Sequence, residues 1–316
     1  MFKPNTSLLL TLLLMPLLNF AQYTDQINSN RPGETMSAFS VGKSVIQLET
    51  GAYGISQKHH LLNYVANGYG IDATLRYGML MEKLEVIADI QYQSQVYEAL
   101  YTKTNQKALK QTILGAKYLL YDPFKNHEKK INVYSWNANK KFSWRQLIPA
   151  VSVFAGANFT SANNPYHFSP NAGISPKVIL ITQNHLGDGT WVFVTNTIAD
   201  YIGTEYPSYG YAVTLTKGFN DKWSGFVENQ GYKSAFYSDA IVRAGAAFLI
   251  TDDLQIDASA SASLKKTPSI FYGGLGFSWR YDGNYNEVRM PVEDPNVLKA
   301  QKRAKKGTKK KKFLIF

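Results

Sequence analysis

The chain has 316 residues and no cysteine, and it carries 21 Tyr, 17 Phe, 5 Trp and a formal net charge of +11. The missing cysteines exclude a disulfide framework, so stability must come from hydrogen-bonded ladders and packing. Nine of the positive charges fall between Lys299 and Lys312, and without that stretch the chain is close to neutral.

Lys3 precedes an apolar run from Leu8 to Leu18 and then Asn19-Phe20-Ala21-Gln22, which predicts a secretory signal over residues 1–21, cut after Ala21. The run is short and interrupted by Pro16, so a retained helical anchor is the weaker alternative. No later run is long enough for a spanning helix, and a closed barrel is the other structure that satisfies its backbone in lipid. Residues 22–43 read as a periplasmic segment. Residues 44–282 then carry alternating stretches at 44–53, 70–78, 82–93, 111–120, 148–159, 175–183, 190–200, 208–217, 222–230, 240–250, 254–264 and 270–281. Each is near the length that crosses a bilayer obliquely. They predict an all-β fold: a transmembrane antiparallel up-and-down barrel of about 12 strands. An even count returns both termini to the periplasm. The sixth and seventh stretches alternate poorly, which leaves ten or fourteen strands open.

If the first strand runs outward, the periplasmic turns fall at 78–83, 184–189, 218–221 and 251–253. The outer connections fall at 56–68, 95–109, 160–172, 201–207, 231–238 and 265–268, mostly longer, as outer-membrane barrels have them. Residues 121–146 break the pattern. They are either a missed hairpin or a Lys-rich periplasmic insertion.

The last two strands carry the clearest signal. Phe271, Leu275, Phe277, Trp279 and Tyr281 share one face, while Tyr272, Ser278 and Arg280 share the other with two glycines. Leu254, Ile256, Ala258, Ala260, Ala262 and Leu264 likewise stand opposite Gln255, Asp257, Ser259, Ser261 and Ser263. Rows of this kind put outer-membrane lipid on one side and a polar lumen on the other. Phe277, Trp279 and Tyr281 fit the terminal signal that a barrel-assembly machinery reads.

Parity also identifies lumen candidates: Glu49, Asp72, Arg76, Glu85, Asp89, Lys117, Glu228, Arg243, Asp257 and Arg280. As lining charges they would set the selectivity of a conduit. As facing charges in a narrow barrel they would equally form a structural network.

Before the first strand come Arg31-Pro32-Gly33 and then Val41-Gly42, and the strand itself contains Glu49-Thr50-Gly51. Here the chain resembles the family of outer-membrane barrels named for the MetA pathway of phenol degradation, many of whose members are called transporters. Ser29-Asn30 stand where that family usually has Thr-Asp. The resemblance implies an outer-membrane barrel over about residues 27–281 and a channel for a small-molecule solute. Independently of it, Arg31 beside a rigid Pro-Gly pair either folds into the barrel mouth against a carboxylate such as Glu49 or lies in a surface turn. The surface turn is the simpler expectation.

Residues 283–316 read as a Lys-rich periplasmic tail, disordered because like charges repel. Lys305, Lys306, Lys309, Lys310, Lys311 and Lys312 could contact peptidoglycan, anionic lipid or a periplasmic or envelope protein. Nucleic acid is not expected in that compartment. A Ser-His lipid hydrolase would need a histidine on the outer barrel face, and His59, His60, His127, His167 and His185 all fall in predicted connections. No enzyme activity, cofactor or metal site is expected. The expected function is passive movement of a small solute, with an envelope anchor acting through its Lys-rich tail as the alternative.

Overall fold

The alternating stretches form twelve antiparallel strands in the computed structural model, which describes residues 27–124, 144–167, 173–187, 189–235 and 237–283. They are β1 (Val45–His59), β2 (Tyr64–Gly78), β3 (Leu84–Ala99), β4 (Thr102–Tyr121), β5 (Ala150–Thr160) and β6 (Gly173–Leu186), followed by β7 (Trp191–Asp200), β8 (Ser208–Gly218), β9 (Trp223–Lys233), β10 (Ser238–Thr251), β11 (Leu254–Ser263) and β12 (Ser269–Asp282). Each strand pairs with the next. β12 returns to β1 through a continuous register from Val45↔Asp282 to Lys58↔Ser269, which closes the barrel. Closure removes the unpaired strand edges that lipid could not satisfy.

The two faces separate as the parity predicts. Phe271, Leu275, Phe277, Trp279 and Tyr281 are exposed on the outside, while Asp257, Ser278 and Arg280 are buried within. The poor alternation of β6 and β7 has a local cause. Ile179, Ile181 and Val194 point inward and join Ile87, Ile113 and Phe154 in a buried cluster that also holds Ala38. An apolar patch inside a lumen removes the contrast between faces, but the strand count stays at twelve. Phe154 is fully buried, and its ring lies where side chains on the glycines at 115 and 156 would have to stand. Replacing Phe154 by Ala should cost about 3–5 kcal/mol, seen as a lower urea midpoint for the folded barrel on unheated gels.

Two of the connections predicted as outer are shorter than expected. The stretches 56–68 and 95–109 are mostly strand, with turns only at 60–63 and 100–101, because β1 to β4 run for 15, 15, 16 and 20 residues. About 9–11 residues cross a bilayer, so these strands continue past it, where both faces are wet and alternation has no cause. The turns at 79–83, 187–190, 219–222 and 252–253 share the opposite end, called here the turn end. β4 and β5 pair directly, so no hairpin interrupts the wall between them. Residues 125–143 of that connection, the signal stretch 1–21 and the tail from 284 onward lie outside the described residues. His185 is in β6 and His59 ends β1, rather than both lying in connections.

Candidate functional site

Residues 27–44 form no strand, yet most of their length is inside the barrel, where each backbone N–H and C=O needs a partner. The inner wall supplies these partners, and the most telling contact is at Arg31. Gly51 pairs with Gly276, Asp72 pairs with Gly51, and Asp257 pairs with Gly276. Four adjacent strands therefore carry one inward row, acid–Gly–Gly–acid. The Arg31 guanidinium lies across it, bonded to Asp72 and at 3.2 Å to Asp257 Oδ2. A Cβ at either glycine would collide with the guanidinium, so the absence of side chains there creates the slot. Burial disfavours the Arg31 charge, but Asp72 and Asp257 more than compensate and hold its pKa above the ordinary value.

A second anchor is Glu228. Its carboxylate accepts from Glu34 N at 3.0 Å, Thr35 N at 3.2 Å and Thr214 Oγ1 at 2.8 Å. A Cβ on Gly33 would sit 2.7 Å from Glu228 Oε2, so glycine there permits the close approach. Pro32 is buried beside it. Glu34 in turn bonds Arg243 at 2.8 Å.

The third anchor is a fully buried charge cluster. Arg76 lies 2.9 Å from Glu49 and 3.1 Å from Glu85, and Lys117 lies 2.8 Å from Glu85. Two cations and two carboxylates balance, which is what makes such burial tolerable. The cluster also holds the segment. Arg76 donates to Asn28 O, Lys117 donates to Ser37 O and Phe39 O, Asn30 N donates to Glu49, and Val41 N donates to Glu85. Ser152 donates to Ala38 O and Gln183 accepts from Ala38 N. Ser29 and Ser278 share a hydroxyl contact at 2.6 Å.

Eight of the ten lumen candidates thus meet residues 27–44 or the charge cluster that grips them. Asp89 stands apart, bonded to Thr74 at 2.8 Å and Gln111 at 2.7 Å. Arg280 is at the turn end, 4.0 Å from Asp282. The surface-turn expectation for Arg31 is corrected, and so is its partner, since Glu49 is taken by Arg76 and Asn30. Parity alone missed the contributions of Ser152, Gln183, Thr214 and the Gly51–Gly276 pair. Polar side chains on the inward rows of β5, β6 and β8 were the available signal. Lys305, Lys306 and Lys309 to Lys312 are outside the described residues. Among those described, no three His, Cys, Asp or Glu are placed to hold a metal ion.

The segment does not fill the turn end completely. Between it and the wall from β6 to β10 lies a cavity of about 650 Å3, lined by Phe39, His185, Val192, Val194, Thr214 and Phe226 among others.

A closed barrel with a lipid-compatible exterior and a polar interior is an outer-membrane β-barrel. The chain belongs to the family described as "Putative MetA-pathway of phenol degradation", whose model matches residues 29–281. Among solved structures, an outer-membrane channel from Pseudomonas putida F1 is similar at 10% identity and a TM-score of 0.46, over 81% of this chain and 100% of that one. The translocator domain of the autotransporter NalP from Neisseria meningitidis is similar at 8% identity and a TM-score of 0.44, over 76% of this chain and 89% of that one. The CymD monoaromatic hydrocarbon channel gives 11% identity and a TM-score of 0.41, over 77% and 90%. No curated protein matches the sequence.

Proposed function

We propose that the protein is an outer-membrane channel for passive movement of small solutes, and that residues 27–44 close it at rest. The Arg31 slot carries this reading. An arginine laid across facing glycines and held by acids from two flanking strands blocks the lumen with a contact that can be undone without unfolding the wall. In the proposed orientation the turn end and both termini face the periplasm, so the segment closes the inner mouth. Lys110 of β4, whose ammonium lies over the Tyr272 ring, and the Glu34–Arg243 pair then face incoming solute, and with the lumen acids they would set its charge preference. Proteoliposomes test the reading. A variant lacking residues 27–40 should swell in iso-osmotic arabinose, while the full-length protein swells far less. Equal, negligible swelling for both would overturn it.

The extent of the segment's bonding favours a second reading, in which the barrel is a stiff anchor and the Lys-rich tail contacts peptidoglycan, anionic lipid or an envelope protein. Deleting residues 298–316 should leave both cell-wall association and the swelling of the variant lacking 27–40 unchanged if the channel reading holds. Loss of cell-wall association without any change in swelling would favour the anchor.

A further inference from the structure

Beyond the segment, toward the end opposite the turn end, the lumen carries a belt of tyrosines. Tyr53 and Tyr272 meet edge to face with centroids 5.9 Å apart. Tyr232 and Tyr237 remain 36% and 43% exposed, so their rings are available to a ligand. Tyr166 reaches the belt from the loop between β5 and β6.

The hydrogen-bond directions are the informative feature. Tyr53 Oη donates to Gln93 Oε1 at 3.1 Å, and Tyr232 Oη donates to Gln230 Oε1 at 3.1 Å. Tyr237 Oη donates to Asp239 at 2.5 Å, and Tyr166 Oη donates to the backbone carbonyl of Gln106 at 3.0 Å. Each of the four phenols has committed its only hydrogen to the wall and keeps oxygen lone pairs for the lumen. The belt therefore offers aromatic faces together with acceptors. A hydrocarbon would leave those acceptors desolvated and unpaired, which is unfavourable. A simple inorganic anion such as chloride has no hydrogens to give. A cation would meet Lys110, whose ammonium already lies 5.6 Å from the Tyr272 ring centroid, and the Glu34–Arg243 pair beyond.

We infer that the tyrosine belt is a binding site for a neutral, hydroxyl-rich ligand, an oligosaccharide, whose sugar rings stack on the phenols while its hydroxyls donate to their oxygens. Aromatic rings spread around the wall suit several linked sugar rings better than one small solute. The inference rests on the channel reading only in taking the end opposite the turn end as the entrance.

Saturation-transfer NMR on the full-length protein in micelles, with maltotriose, phenol and spermidine as probes, tests it. Maltotriose should receive saturation, and Tyr232→Ala and Tyr237→Ala should each weaken its binding about tenfold while the barrel keeps its unheated gel mobility. Tyr237→Phe should retain more of the binding than Tyr237→Ala, because the ring remains. Saturation of phenol or spermidine but not maltotriose would overturn the inference, as would no binding of maltotriose at millimolar concentration or equal binding to wild type and both alanine variants. Swelling of Arg31→Ala proteoliposomes in arabinose separates this result from the channel reading. Maltotriose binding without swelling keeps the site and rejects the channel, and swelling without binding does the reverse.

Discussion

Arg31→Ala should convert a quiet barrel into a conducting one. The substitution removes both ion pairs that hold the segment in the Gly51–Gly276 slot and leaves Asp72 and Asp257 facing the lumen without a counter-charge. Loss of one partner from a buried pair costs about 3–5 kcal/mol. At 1.4 kcal/mol per factor of ten, even the lower figure would shift the closed-to-open ratio by about two orders of magnitude. The two exposed carboxylates should also make the open state cation-selective. Reversal potentials in a salt gradient would check this, and adding Asp72→Asn and Asp257→Asn to the Arg31→Ala variant should reduce the selectivity while leaving the openings. A Gly276→Val barrel should open in the same way with Arg31 intact, because the new side chain takes the guanidinium's place.

Arg76→Ala should strongly destabilise the barrel. Arg76 is fully buried, and its loss leaves Glu49 and Glu85 with Lys117 as the remaining cation of the cluster. The expected cost is about 3–5 kcal/mol, measured as a lower urea midpoint or as failure to reach the fast-migrating folded form on unheated gels. The cause is the unbalanced charge, so Glu49→Gln in the same chain should recover part of the loss by restoring neutrality. If the double variant were no more stable than Arg76→Ala alone, lost packing rather than lost charge balance would be responsible.

The barrel was legible in β11 and β12 because lipid on one face and polar groups on the other impose strict alternation over these strands. Where that contrast was absent, boundaries and pattern were lost. At 97–99 and 102–105 the strands extend past the bilayer with water on both sides, so nothing in their order marks them as strand. In β6 and β7, Ile179, Ile181 and Val194 face Met36, Ala38 and Phe39 of the inner segment rather than water. The same limit applies to the site. Parity can say that Asp72 and Asp257 face inward, but not that they flank one glycine pair. That depends on the stagger of four strands, set by a closure between β1 and β12 more than two hundred residues apart. It also cannot show that Arg31 enters the slot, since nothing near Arg31 in the sequence marks the two acids it meets.

The most direct test locks the segment in place. Ser29 and Ser278 touch at 2.6 Å between hydroxyls, and the chain has no cysteine of its own, so Ser29→Cys with Ser278→Cys introduces a single possible disulfide. In an Arg31→Ala background, single-channel recording in a planar bilayer should show discrete openings under reducing conditions and their loss on oxidation, with recovery when reductant is restored. Openings that are identical in the oxidised and reduced protein would mean that residues 27–44 do not gate the lumen.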